Sequence, residues 1–220
     1  MNKYRVIFLG AVATVLFAFF VLVFMPHLLL RSVAPPAGLK AYDDSALAGR
    51  RVYVSLGCLY CHSQQVRAPS FGSDAARGWG RASYPEDYAY DYPHLLGTMR
   101  TGPDLMNIGL RQPSRAWHYA HLYQPRAMTP GSVMPAFGFL FAVKDQTGMG
   151  DEIVALPAGV GPAGRVVVTL PTARVLVNYL LSLKHDYPAP EELTPLRNGA
   201  SRRPHDRDSG GLAAAPGGSQ

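Results

Sequence analysis

The sequence predicts an all-α domain held behind one membrane-crossing helix, and three observations predict it. A twenty-residue uncharged run lies near the N-terminus, three later stretches repeat apolar residues at helical spacing, and the long segment between them has no sustained period. With 48% apolar residues among 220, the chain can bury one modest core in addition to the anchor.

The uncharged run is Val6 to Met25. At about 1.5 Å per residue, a helix of that length crosses a hydrocarbon core of about 30 Å. Lys3 and Arg5 precede it, so the short tail is expected in the cytoplasm and the body outside. A cleaved signal peptide is the competing reading. Its apolar core would be unusually long, and the small-residue site at Ser32 to Ala34 runs straight into Pro35 and Pro36. The expectation is an uncleaved anchor over residues 1–31, followed by a short stiff linker over 32–42 whose prolines cannot continue a helix.

A folded domain is expected over 43–190. Asp43, Asp44 and Ser45 are N-cap candidates, and Leu47, Arg51, Val54 and Cys58 follow at helical intervals, so a helix should deliver the chain into Cys58. A second helix should start at Ser114 and stop near Pro125, with Trp117 and His121 one turn apart. For the third, Thr172 is the predicted cap and Val175, Leu176, Tyr179, Leu180 and Leu183 the apolar face. Two β-branched runs, 152–156 and 165–170, flank a Pro- and Gly-rich turn and predict a small β-hairpin insertion. Residues 191–220 are expected to be a disordered tail, since after about Asn198 the sequence becomes Gly, Ala, Pro, Ser and Arg. The formal charge of +6 is scattered, and no basic stripe suited to nucleic acid is present.

Both cysteines of the chain lie in Cys58-Leu59-Tyr60-Cys61-His62. That excludes a multi-bridge disulfide scaffold and matches a c-type haem attachment motif. Two thiols at this spacing can add to two vinyl groups while the adjacent His reaches the iron. A thioredoxin-like dithiol would need a strand and a βαβ frame around it, and a zinc corner would need further ligands. A bound haem also accounts for the aperiodic stretch 63–102, because a flat apolar ring supplies core that the chain need not build itself. For the sixth ligand, Met99, Met106, Met128, Met134, His94, His118 and His121 all lie downstream. Met134 is preferred: Pro135 follows it, and an irregular loop can present its sulfur free of helical constraint. Gly102-Pro103 is a turn whose backbone carbonyl could hold Nδ1–H of His62, making Pro103 part of the cofactor site. Arg67, Arg100 and Arg111 are candidate partners for haem propionates.

These residues resemble subunit II, the FixO-like monohaem cytochrome c, of cbb-type haem-copper oxidases. The resemblance covers about residues 50 to 140. It runs through Arg51-Val-Tyr-Val, the haem motif with Ser63-Gln64, Tyr88-Ala-Tyr-Asp91 and Arg100-Thr-Gly-Pro-Asp-Leu105. It continues through Gly109, Arg111, Trp117-His118, His121-Leu122, Pro125-Arg126 and Ser132-Val-Met-Pro-Ala-Phe137. It implies a class I cytochrome c-like fold with one covalent haem c, Cys58 and Cys61 as thioether residues, and His62 and Met134 as the axial metal ligands. It also implies a single-pass protein of the bacterial inner membrane with its haem domain on the periplasmic side. The implied partners are the catalytic haem-copper subunit and other cytochrome c subunits, and electron relay to that catalytic subunit is the implied role in aerobic respiration. With both axial positions closed, the chain would be no enzyme by itself and would have no small-molecule substrate of its own.

Two departures stand out: Val133 occupies a position usually held by Asn, and Phe137-Gly138-Phe139 replaces an aromatic Tyr-Pro-Trp run. The stretch from Lys144 to Pro171 is also unlike the usual subunit II. The alternatives are the small cytochrome c subunit of a nitric oxide reductase, a free-standing anchored shuttle, and a haem-free thiol oxidoreductase. The Tyr-rich insert favours the oxidase subunit over the first, and the short linker favours a docked subunit over the second.

Overall fold

The uncharged N-terminal run folds as one continuous helix, α1 (Lys3–Leu30), long and apolar enough to cross a membrane, with none of its most apolar stretch covered by the rest of the chain. It appears in a computed structural model that describes residues 2–31 and 33–189. The helix widens to a π-turn at Phe20–Phe24, directly before Pro26. Proline lacks an N–H and crowds the carbonyl four residues back, and the wider turn relieves both.

The next helix, α2 (Asp44–Ser55), starts where the Asp43 carboxylate accepts the Ala46 N–H at 2.7 Å. It ends at Ser55, short of Cys58, because Gly57 takes a left-handed φ of 71° and stops the ladder. The buried face also differs from the predicted one. Ala46, Gly49 and Tyr53 turn inward, while Leu47, Arg51 and Val54 are exposed. Close approach decides the face: a β-carbon on Gly49 would stand 1.9 Å from the Val175 carbonyl oxygen. The smallest residue therefore marks the helix contact.

Residues 63–102 form no helix or strand beyond a short 3₁₀ turn, Pro85–Tyr88, as the missing period predicts. Side chains satisfy much of this loop's backbone. The Asp87 carboxylate, for example, accepts the Tyr84 N–H at 2.8 Å while pairing with Arg81 at 2.7 Å and with the Tyr187 hydroxyl at 3.0 Å. After the loop come α3 (Ile108–Arg111), α4 (Arg115–Tyr123) and α5 (Pro125–Met128). The Ser114 hydroxyl caps α4 by accepting the Trp117 N–H at 3.2 Å, and the rings of Trp117 and His121 stack 4.5 Å apart.

A two-stranded antiparallel sheet pairs β1 (Phe141–Lys144) with β2 (Val166–Thr169), in the register Phe141 to Thr169. The predicted hairpin partner, 152–156, also lies antiparallel to β2: Ile153 bridges Val168, the Val154 N–H donates to the Val167 carbonyl at 2.8 Å, and the Thr169 N–H donates to the Glu152 carbonyl at 2.9 Å. The strand that the sequence does not predict is β1, and Phe141 explains it. Its ring sits 5.5 Å from Tyr123 and 6.4 Å from Tyr119, so packing on α4 draws β1 onto β2.

Helix α6 (Pro171–Ser182) closes the domain. Thr172 is not its cap: Leu170 holds that position in extended conformation, and Pro171 supplies a first helical residue that needs no N–H partner. The inward face is Ala173, Leu176, Val177, Tyr179 and Leu180, continued by Leu183, whereas Val175 is only half-buried. Tyr53, Leu95, Leu105, Tyr119, Leu176 and Tyr179 share one core among α2, α4, α6 and the loops. The linker lies on this body, since Pro36 is buried and a β-carbon on Gly38 would meet Tyr187 at 2.8 Å. The expected tail, 191–220, lies outside the described residues.

Candidate functional site

Cys58–Tyr60 makes one 3₁₀ turn after Gly57. The N–H groups of Cys61 and His62 both donate to the Cys58 carbonyl, at 3.2 and 3.0 Å. This turn leaves Cys58 half-buried against the main core and Cys61 exposed, both as free thiols. Burial pushes the Cys58 thiol up to about 11.

Beyond the turn the chain runs extended and is stitched to residues 96–105. Gln64 N–H donates to the Leu96 carbonyl at 2.8 Å, Gly102 N–H to the Cys61 carbonyl at 3.0 Å, and Leu105 N–H to the Ser63 carbonyl at 2.8 Å. These bonds bring the Gly102-Pro103 turn beneath His62, and Nδ1 of His62 lies 2.7 Å from the Pro103 carbonyl oxygen. A carbonyl only accepts, so Nδ1 carries the proton and Nε2 keeps a lone pair for a metal. Gly102 supplies the space, because a β-carbon there would come within 2.2 Å of the imidazole Cε1. Burial lowers the His62 pKa, and the bond to Pro103 opposes the shift.

Behind this turn stands Asp104, fully buried. Its Oδ2 accepts the Ser63 hydroxyl at 2.6 Å and the Gln65 N–H at 2.7 Å, and its Oδ1 accepts the Met106 N–H at 2.9 Å. Arg100 binds the Ser63 hydroxyl, Asp74 and the Gln65 carbonyl at 2.6 to 2.7 Å, so its donors are committed to protein. Arg111 donates to the Asp104 carbonyl and lies over the Trp79 ring, with its Nε buried and unpartnered. Arg67 is exposed, and its backbone N–H binds Asp74 at 2.7 Å. Of the three arginines considered for propionates, Arg100 is thus the one already fully engaged.

Met134 is half-buried and packs against the core that also takes Cys58 and Leu59. Its loop is pinned by the Phe137 N–H to the Leu122 carbonyl at 2.9 Å and by the Met134 N–H to the Ser132 hydroxyl at 3.2 Å. Met128 packs on the same core, Met106 fills a separate cluster with Val66 and Tyr88, and Met99 is exposed. His118 is occupied by the Gln112 carbonyl at 2.8 Å, and His94 sits edge-on to Tyr88. His121 stacks on Trp117 with Nδ1 unpartnered, and burial together with the charges of His118 and His62 lowers its pKa to about 4.

Among the described residues no three His, Cys, Asp or Glu side chains converge on a metal ion, so a zinc corner at Cys58 and Cys61 lacks the ligands it needs. Two thiols, one imidazole with a free lone pair on Nε2 and a soft thioether are donors of the kinds that covalent haem takes. Each of those donors is legible in the sequence. The role of the Asp104 carboxylate and the space at Gly102 are not, although both belong to the Arg100-Thr-Gly-Pro-Asp-Leu105 run, because they arise only when that run closes on Ser63 and His62.

No curated protein matches this chain. A family model described as cytochrome c oxidase, mono-heme subunit, FixO matches residues 1–159. It takes in the anchor, the Cys58 turn, the Pro103 loop and the Met134 loop. The chain therefore belongs to the FixO family of mono-haem cytochrome c oxidase subunits.

Proposed function

We propose that the chain carries one haem c, joined to Cys58 and Cys61 and ligated by His62 and Met134, and relays electrons to the catalytic subunit of a cbb-type haem-copper oxidase. The observation that carries this reading is the 2.7 Å contact between His62 Nδ1 and the Pro103 carbonyl, with Gly102 open beneath the ring. It fixes the tautomer and turns the basic nitrogen toward a metal. Bound haem supplies a one-electron iron couple.

Each residue has its own task. Cys58 and Cys61 offer thiols on either side of one turn, and the short 3₁₀ geometry keeps His62 in register with them. Met134 offers its sulfur from a loop tied to α4, and a His/Met pair favours a higher potential than two histidines would. His62 and Met134 would both be committed to the iron, which would leave no site for dioxygen, and the chain would act as a relay. Helix α1 holds the domain at the bacterial inner membrane. Lys3 and Arg5 favour a cytoplasmic N-terminus, hence a periplasmic haem domain. The packed linker at Pro36 and Gly38 suits a subunit docked beside its partners, the catalytic subunit and other cytochrome c subunits, better than a roaming shuttle.

The test is gentle solubilisation of native membranes, isolation through a C-terminal tag, haem difference spectra, and copper analysis of what co-purifies. A copper- and b-haem-containing subunit in fixed ratio, with oxygen consumption, is the expected result. A chain that arrives alone with its c-haem would be a free shuttle, and a colourless chain would refute the haem reading itself.

A further inference from the structure

We infer that Asp104 is a positioning residue that holds the Pro103 carbonyl against His62 and places a buried negative charge behind the ligand, lowering the reduction potential of the iron that His62 holds. The inference rests on the ligand role proposed for His62.

Asp104 directly follows the residue whose carbonyl meets His62 Nδ1. It is fully buried, and four groups converge on its carboxylate. Ser63 hydroxyl and Gln65 N–H bind Oδ2 at 2.6 and 2.7 Å, Met106 N–H binds Oδ1 at 2.9 Å, and Arg100 Nη2 approaches Oδ2 at 3.6 Å. Two of these groups come from the strand-like segment that leaves His62 and one from beyond the Pro103 turn. The carboxylate therefore ties together the two chain segments whose separation sets the length of the His62 to Pro103 bond.

The charge acts as well as the geometry. The field of a buried carboxylate reaches further in the interior than it would in water. A negative charge behind the imidazole favours the oxidised, more positive form of the iron. Arg100 is the partial countercharge, but it is shared, since its closest carboxylate is that of Asp74 at 2.7 Å. A second guanidinium, Arg111, bonds the Asp104 carbonyl, so two acids and two cations share the cluster, and Asp104 is the acid that directly adjoins the Pro103 carbonyl meeting His62.

The experiment is a redox titration of the purified, full-length holoprotein with three substitutions. Asp104→Asn keeps the volume and part of the hydrogen bonding but removes the charge. It is expected to shift the reduction equilibrium about tenfold toward the reduced form, about 59 mV for one electron. Arg100→Gln removes the countercharge and is expected to move the potential the opposite way. Ser63→Ala removes one contact of the carboxylate, leaves its charge, and is expected to change the potential little. Packing alone cannot produce shifts of opposite sign from two members of one cluster. The inference is overturned if Asp104→Asn leaves the potential unchanged or lowers it, or if Ser63→Ala moves it as far. Should Asp104→Asn fail to accumulate as holoprotein, Arg100→Gln decides: a potential that does not fall overturns the inference. The ligand reading fails on a separate observation, an unsubstituted chain whose pyridine haemochrome shows no c-type haem.

Discussion

A β-carbon on Gly102 would stand 2.2 Å from Cε1 of His62 and 2.8 Å from Nε2, so the imidazole occupies the volume that any larger residue would claim. Gly102→Ala is expected to push the ring off the Pro103 carbonyl. The overpacking costs on the order of 2 kcal/mol. Loss of the low-spin spectrum of the ligated haem, alongside a lowered melting temperature, checks this. A spectrum and melt identical to the parent chain would show that the ring is not seated there.

Met134 and Met128 pack on the same core, and substitution separates their roles. Met134→Leu, which conserves volume, is expected to abolish the sulfur-to-iron absorption of the oxidised protein and to lower its potential. Met128→Leu is expected to leave both unchanged and to cost under about 1.5 kcal/mol. The reverse pattern would move the sixth ligand to Met128.

The two thiols differ in exposure, with Cys61 open to solvent and Cys58 half-buried with its pKa pushed up to about 11. In haem-free chain at neutral pH, iodoacetamide is expected to modify Cys61 well before Cys58. Only the thiolate attacks, and burial withholds it at Cys58. Peptide mass spectrometry over a time course reads the order, and equal rates would contradict the placement of the turn.

His185 is buried with neither ring nitrogen hydrogen-bonded, its Nδ1 standing 3.8 Å from the Asp87 carboxylate, in a setting that also holds Arg81, Tyr187 and Asp186. Burial lowers its pKa from 6.5 to about 4, against the pull of Asp87. Between those two values the unfolded chain takes up the proton and the folded chain does not, so stability falls as the pH is lowered through the window. The loss reaches on the order of 3 kcal/mol at the acid end. Urea midpoints at pH 7 and pH 4.5 measure it, and His185→Leu is expected to flatten the dependence.

Gly49 brings α2 onto the backbone of α6 at Val175. Gly49→Ala gains helix propensity, worth about 1 kcal/mol, yet must force the helices apart. A net loss of about 2 kcal/mol is expected, seen in the thermal midpoint, because the obstacle is a carbonyl oxygen rather than a side chain that can swing away.

What could be read from the sequence follows the range of the forces involved. Helix α1 and the caps at Asp43 and Ser114 are local, set by residues within one turn, and the residues alone predicted them. The inward face of α2 is not local. Leu47 and Val54 are the larger apolar residues, but Gly49 faces inward because α6 arrives there from more than a hundred positions away. The added pairing of β1 with β2 is hidden for the same reason, since it depends on where Tyr119 and Tyr123 receive Phe141. At the candidate site the Cys58, Cys61 and His62 spacing is a chemical signature independent of fold. The convergence of Ser63, Gln65 and Arg100 on Asp104 exists only once the loop has closed.

The matched family region ends at residue 159, and α6 begins at Pro171. From α6 the Tyr179 hydroxyl reaches back to bind the Gln64 side chain at 3.0 Å, two residues after His62. Synthesis proceeds from the N-terminus, so the segment leaving the Cys-Cys-His turn must wait for almost the entire chain before its last partner appears. The segment that leaves the turn is thus tied down in part by a helix outside the matched region.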